Sequence, residues 1–433
     1  MVKTMNKKIF LLISSILIVA IFVLLTSQKL RSNKEVLNPE ELQEIYQSPS
    51  QKLIIEAWKI IEKDYIDPTF NGQDWNATLQ RTLEKNHDSD ESLYQSIQGM
   101  LSSLEDPSTR LTPIPPEQPE VLKTQPDLKI GFQFRLDEQT KKYVVYEIYE
   151  DSPAYKAGIL PGDVLVNVDG KYLKDMSQDE VTYLLYGEEG TPVTIEVQRG
   201  QKNLGLRVIR EPFEIPNVSY MKQDSHLGAI GYIRLMRFYA DATKEMREAI
   251  EELESQNVKG YILDLRNNQG GLFFASLEIA NMWIEERGTI IVSTVDRQGI
   301  VDNREANGRQ KTKKPLVILV NGLSSRASEI LAGALQNNQR GFLVGTETYG
   351  DNSLKLVREL KNGLRLVVTN ARWYFPDGRD INSSGLTPNK YIALTEEQKQ
   401  TLFSGKGLIA TPNDPQYKEA LSVLATLTTG AAE

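Results

Sequence analysis

The sequence predicts a multi-domain α/β protein, and three features of its hydrophobic patterning carry that expectation. An apolar run near the N-terminus precedes a stretch whose apolar residues recur every three to four positions. Near residue 127 the period shortens to two, and from about residue 228 strand-like and helix-like segments alternate. At 433 residues, 40% hydrophobic and 25% charged, the chain is long enough for several domains and has an ordinary globular balance. Its net charge of −8 comes without long runs of one sign, so the basic footprint that nucleic-acid binding needs is missing. The sequence has no cysteine, which excludes disulfides and thiolate metal sites, and its two histidines, His87 and His226, cannot assemble a usual zinc site. No metal and no cofactor is expected.

Residues 9–26 are apolar except for Ser14, Ser15 and Thr26, and Lys3, Lys7 and Lys8 precede them. At about 1.5 Å per residue such a helix spans close to a hydrocarbon core. No small-x-small pattern follows, which favours an uncleaved transmembrane signal anchor over a removed signal peptide. Lys29, Arg31 and Lys34 lie beyond the run, so orientation rests on the order of charge followed by apolar residues. That order expects a single-pass membrane protein whose soluble part is extracytoplasmic, in a periplasm, a lumen or the cell exterior. A helical domain at 39–120 follows. Its stripes are Ile54, Trp58, Ile61 and Tyr65, then Trp75, Leu79 and Leu83, then Leu93, Ile97, Met100 and Leu104, and Pro113, Pro115, Pro116 and Pro119 end it.

The third region, 127–212, expects strands at 143–149, 163–168 and 194–199 and a helix at 179–185. Within it stand Ser152-Pro153-Ala154, Ala157-Gly158-Ile159, Gly162-Asp163-Val164-Leu165 and Val168-Asp169-Gly170, with Gly187 and Gly190 before the last strand. In that order these motifs resemble a PDZ domain of the permuted, protease-associated bacterial type. The resemblance implies that a polypeptide C-terminus adds as a strand while backbone N–H groups hold its carboxylate. Ile130, Gly131, Phe132 and Gln133 stand where that carboxylate loop belongs, and Gly131 is expected to let the backbone approach the ligand. A PDZ fold that only props its neighbour is the alternative.

From 213 to 395 the alternation gives strands at 229–235, 260–265, 289–294, 315–320 and 342–344 and helices at 242–253, 273–284 and 327–336. Residues 396–433 read as a tail whose one amphipathic segment, 417–427, carries no chemical signature. Two stretches are specific. The strand 260–265 runs into Arg266-Asn267-Asn268-Gln269-Gly270-Gly271, and the strand 315–320 runs into Asn321-Gly322-Leu323-Ser324-Ser325-Arg326-Ala327-Ser328-Glu329. They resemble the core of the carboxyl-terminal processing proteases, which implies a crotonase-like sheet with crossovers. The likeness covers nearly everything from about residue 45 to 395. The segment Asp67-Pro68-Thr69-Phe70-Asn71-Gly72-Gln73-Asp74-Trp75 looks like versions of that family found in photosynthetic lineages.

In the family the glycine turn lends a backbone N–H to an oxyanion hole, which makes Gly270, Gly271 and Ala327 the candidate donors. Gln269 stands where a proline is usual. Aligned on Ala327, Ser328 and Glu329, the family's nucleophilic serine becomes Arg326. Aligned on Val344-Gly345-Thr346, its base lysine becomes Asp351 and the glutamine that orients the base becomes Lys355. Arginine offers neither a hydroxyl nor an accessible neutral form, so the resemblance implies a protease fold without its dyad. Opposite charges at two positions that bond each other in active relatives suggest an Arg326–Asp351 ion pair; independent solvation is the alternative.

These observations expect a serine protease homologue that is catalytically inactive. It would bind polypeptide C-termini through the PDZ domain, associate with itself or regulate an active homologue. A relocated dyad of Ser325 and Lys355, making the chain an active endopeptidase, is the competing reading, and a purely structural scaffold is the third.

Overall fold

The computed structural model describes residues 38–85, 87–113, 130–137, 139–213, 216–360, 363–382 and 384–430. The apolar segment 9–26 lies outside them, and among the described residues no helix is long and apolar enough to cross a membrane. The chain divides into two units: the first runs to Glu62 and from Thr69 to Asp106, and the second takes residues 63–68 and 107–433.

Helices Pro39–Ile45, Trp75–Leu83 and Asp90–Ser102 and most of Pro49–Asp64 form the first unit. The side chains of Asn38, Asp74 and Ser89 accept first-turn N–H bonds, which starts three of them. Ile54, Trp58, Ile61, Leu79, Leu83, Leu93, Ile97 and Met100 are all buried, as the stripes predict. Trp58 Nε1 donates to the Trp75 carbonyl at 2.9 Å and Trp75 Nε1 to the Trp58 carbonyl at 3.3 Å, so neither indole is buried with an unmet donor.

The second unit opens with β1 (Arg110–Pro113), four residues that the proline punctuation assigns to the helical domain. The next sheet has the spatial order β2 (Phe132–Asp137), β3 (Lys142–Ile148), β4 (Val164–Val168), β6 (Pro192–Arg199), β7 (Lys202–Ile209), with β5 (Lys171–Tyr172) against β4. With the helices Pro153–Ala157 and Gln178–Leu185 it builds the PDZ-like module.

The central sheet holds β8 (Val218–Ser225), β9 (Gly228–Leu235), β10 (Tyr261–Asp264), β13 (Leu316–Val320), β14 (Phe342–Gly345) and β17 (Lys390–Tyr391), in the order β17-β14-β13-β10-β9-β8. All neighbours run parallel except β8 and β9. Helices Ala242–Ser255, Phe273–Asn281 and Ala327–Asn337 follow β9, β10 and β13. Their apolar faces cover the side of the sheet that presents Ile233, Leu263 and Ile318. Alternate residues Tyr232, Ile262 and Val317 face the other way, because successive strand side chains point to opposite faces. That second face is closed by Tyr417, Ala420 and Leu424 of the helix Pro415–Gly430. The segment that reads as a tail thus completes the core.

A third, antiparallel sheet has the order β1-β16-β11-β12, with β15 also on β16. Its later strands are β11 (Ile290–Asp296), β12 (Val301–Glu305), β15 (Ser353–Glu359) and β16 (Leu364–Tyr374). The predicted strand 289–294 therefore leaves the α/β alternation. A hairpin to β12 follows it where a parallel strand needs a long crossover.

Candidate active site

β13 is fully buried and ends in a turn that delivers Arg326 at the start of the helix Ala327–Asn337. Arg326 has φ 54° and ψ −110°, a conformation costly for a side chain with a Cβ, so the surroundings must hold it. The flanking serines do this. Ser324 Oγ donates to the Leu265 carbonyl at 2.8 Å, Ser325 Oγ to the Gln269 carbonyl at 3.0 Å and Ser328 Oγ to the Asn268 carbonyl at 2.8 Å. All three hydroxyls stitch the Arg326 turn to the glycine turn after β10.

That glycine turn touches the Arg326 turn directly. Gly270 has φ +94°, and a Cβ there would come 2.9 Å from the Ala327 nitrogen and 3.1 Å from Arg326 Cβ. Both the backbone sign and the close approach require glycine. The Gly270 N–H donates to Asn268 Oδ1 at 2.8 Å, which removes it from the three expected oxyanion donors. The N–H groups of Gly271 and Ala327 have no acceptor among the described residues.

Across the turn stand Asp351 and, on β15, Lys355. Arg326 Nε donates to Asp351 Oδ2 at 2.8 Å, and Lys355 Nζ donates to the same oxygen at 2.9 Å. The expected Arg326–Asp351 pair is present, and Lys355 joins it. The Ser353 N–H adds a bond to Asp351 Oδ1 at 3.0 Å. Burial works against the Asp351 charge, but Lys355, Arg326 and the Ser353 hydroxyl, which donates to Asp351 Oδ1, outweigh it and hold the carboxyl far below the usual carboxylate range. Burial, aided by the Arg326 charge, pulls the Lys355 ammonium down to about 8 in spite of Asp351.

Glu329 lies behind the cluster, and sequence reasoning gave it no role. Its carboxyl accepts from the N–H groups of Arg326 at 2.9 Å, Gly350 at 2.7 Å and Asp351 at 3.1 Å and from Thr348 Oγ1 at 2.5 Å. It pins the Arg326 turn to the Asp351 loop, and burial raises its pKa against those four bonds. The pair Ser325 and Lys355 is not assembled: no hydrogen bond joins them among the described residues, and each is engaged elsewhere.

In the PDZ-like module β2 is an edge strand that, among the described residues, is bonded only to β3, an arrangement suited to strand addition. Ile130 and Phe132 are buried in the module core. Gly131, at φ +74°, is required by its neighbour Ser152, whose Cβ would lie 2.1 Å from an added Cβ. The glycine thus allows close packing against Ser152. Gln133 faces the glycine turn indirectly: Tyr146 Oη donates to Gln133 Oε1 at 2.8 Å and accepts from Gln269 Nε2. Nearby, buried Glu147 of β3 pairs with Arg234 and accepts from Asn267 Nδ2 at 3.1 Å. The substitution of Gln269 for proline was the one sequence signal for this link, since proline has no side-chain donor.

Comparison with known proteins agrees with this architecture. Residues 229–392 match peptidase family S41, and residues 144–199 match the PDZ domain. A "Carboxyl-terminal-processing protease" of Synechocystis sp. is 36% identical over 380 residues, 86% of this chain and 86% of the relative. The chain belongs to the carboxyl-terminal processing proteases. Another relative, "Carboxyl-terminal-processing peptidase 3, chloroplastic" of Arabidopsis thaliana, is 36% identical over 356 residues, 78% of this chain and 68% of the relative. Among solved structures, the "Photosystem II D1 C-terminal processing protease" is similar with a TM-score of 0.69 and 32% identity, over 86% of this chain and 100% of that one. A PDZ domain in this serine protease family suits the binding of polypeptide C-termini or substrates.

Proposed function

We propose that this chain is a carboxyl-terminal processing protease homologue without protease chemistry. In this reading it is extracytoplasmic, held to a membrane by the segment 9–26, and takes up polypeptide C-termini at the β2 edge of its PDZ domain or partners an active homologue. One observation carries the proposal: the strained turn that presents a nucleophile in the family presents Arg326, with its Nε on Asp351. A guanidinium cannot attack a carbonyl, and a carboxylate already held by Arg326 and Lys355 is a weak base. Loss of a nucleophile removes roughly six orders of magnitude of rate in comparable triads.

A relocated dyad of Ser325 and Lys355 is favoured by one fact, the fall of the Lys355 ammonium to about 8. Against it stand the engaged Ser325 hydroxyl and the Asp351 salt bridge. Titrating the full chain with a fluorescent decapeptide ending in a free, apolar C-terminus tests the proposal. Amidating the terminus is expected to weaken binding by roughly 1.5–3 kcal/mol. Equal affinity of acid and amide would sink C-terminus recognition and leave the scaffold reading.

A further inference from the structure

The geometry points to a second carboxylate-binding site in the former catalytic cleft, one that holds the α-carboxylate of a short peptide on Arg326 and on the N–H groups of Gly271 and Ala327. This rests on the reading that the Arg326 turn no longer cleaves, and it is separate from the PDZ edge. Three donors stand on two turns that touch, since a Cβ on Gly270 would lie 2.9 Å from the Ala327 nitrogen. Arg326 spends only Nε on Asp351, its side chain stays 44% exposed, and its two Nη groups have no acceptor among the described residues. A guanidinium presents its donors as a planar fork that matches carboxylate geometry.

The N–H of Ala327 is the second donor. Ala327 is 2% exposed and its N–H meets no acceptor among the described residues, and buried backbone donors are seldom left in that state. The third is Gly271, from the glycine turn that lies against Arg326 Cβ. In an active relative such donors face a transient oxyanion, whereas here a permanent cation stands beside them. That combination favours a stable anion over a neutral carbonyl.

The charges around the site include Arg326, Lys355, Asp351 and the buried Glu329, with Arg110 acting on Lys355. Glu329 is consumed by four donors on the far side of the turn, and Lys355 is turned onto Asp351. Asp351 is thus the internal competitor for the guanidinium, already seated on Nε, and a ligand carboxylate takes the open Nη edge.

The test uses the full chain and N-acetyl-Ala-Ala, a probe too short to fill a strand-addition groove, as free acid and as amide, with acetate as a second arm. Calorimetry is expected to show the acid binding at least about tenfold more tightly than the amide, and Arg326→Ala to abolish that difference. Asp351→Asn, nearly isosteric, is expected to tighten binding of the acid, a direction that a merely structural Asp351 would not produce. Acetate matching the dipeptide would overturn the peptide assignment. Equal binding of acid and amide, no binding of the acid at millimolar concentration, or an unchanged Arg326→Ala variant would overturn the site. Decapeptide binding at the PDZ edge is read separately, so either proposal can fail alone.

Discussion

Arg326 Nε and Asp351 Oδ2 stand 2.8 Å apart, joining the turn after β13 to the loop before β15. Arg326 is half exposed, so the pair by itself adds little to stability. In the proposed reading its consequence is chemical, because it fills the positions that the resemblance assigns to nucleophile and base with groups that cannot form an acyl-enzyme.

Restoring the family residues separates lost chemistry from a lost cleft. Arg326→Ser alone is expected to remain inactive, since Asp351 gives the new hydroxyl no lysine base. Arg326→Ser with Asp351→Lys and Lys355→Gln is expected to gain serine-type cleavage of a peptide substrate, using the unspent N–H groups of Gly271 and Ala327. A folded triple variant without activity would mean that the cleft itself has drifted.

Lys355 is expected to titrate near 8, and its neighbours set the direction of change. Arg326→Ala removes a cation and raises the value, and Asp351→Asn removes the carboxylate and lowers it. Because the folded value is depressed below the unfolded value, about 10.4, the unfolded chain binds more protons between them, so this residue makes stability rise with pH across that window. NMR titration of 13C-methylated lysine reads the values. A Lys355 that titrates unchanged in both variants would show that the cluster is not coupled.

Arg266, fully buried, donates to Asp264 at 2.6 Å and to Asp414 at 2.8 Å, tying the glycine turn to the C-terminal helix. Asp414→Ala leaves a buried guanidinium short of acceptors and is expected to cost about 3–5 kcal/mol in urea unfolding. A loss below about 1 kcal/mol would place the residue among ordinary surface pairs.

Gly270→Ala is expected to destabilise more than Gly190→Ala, although both glycines have positive φ, +94° and +78°. At Gly190 an added Cβ meets nothing within 4 Å, while at Gly270 it meets backbone atoms of Ser325 and Ala327 under 3.0 Å. Comparing the two thermal midpoints isolates the contact from the backbone strain they share, and equal losses would refute the contact.

Much of this architecture was legible from local patterning. The stripes through Ile54, Leu79 and Ile97 report which helix faces are buried, and the two strand-to-turn stretches locate Gly270, whose residue type suits its positive φ, and Arg326, which the strand before it and the helix after it place. What escaped depends on pairing between distant segments. β1 has four residues and no apolar alternation to declare it a strand on β16, and Arg266 meets Asp414 across 148 positions. The need for glycine at Gly131 to clear Ser152 escaped too, because that contact spans 21 positions. The burial of Ile130 and Phe132 is a matter of packing that motif order does not encode.

The most direct measurement follows the fate of an unfolded polypeptide with an apolar C-terminus, incubated with the full chain and read by mass spectrometry. The expected result is an intact polypeptide that stays bound, with no adduct on any serine from a fluorophosphonate probe. Cleavage above background that disappears in Ser325→Ala or Lys355→Met would contradict the account and make the chain an active protease with a relocated dyad.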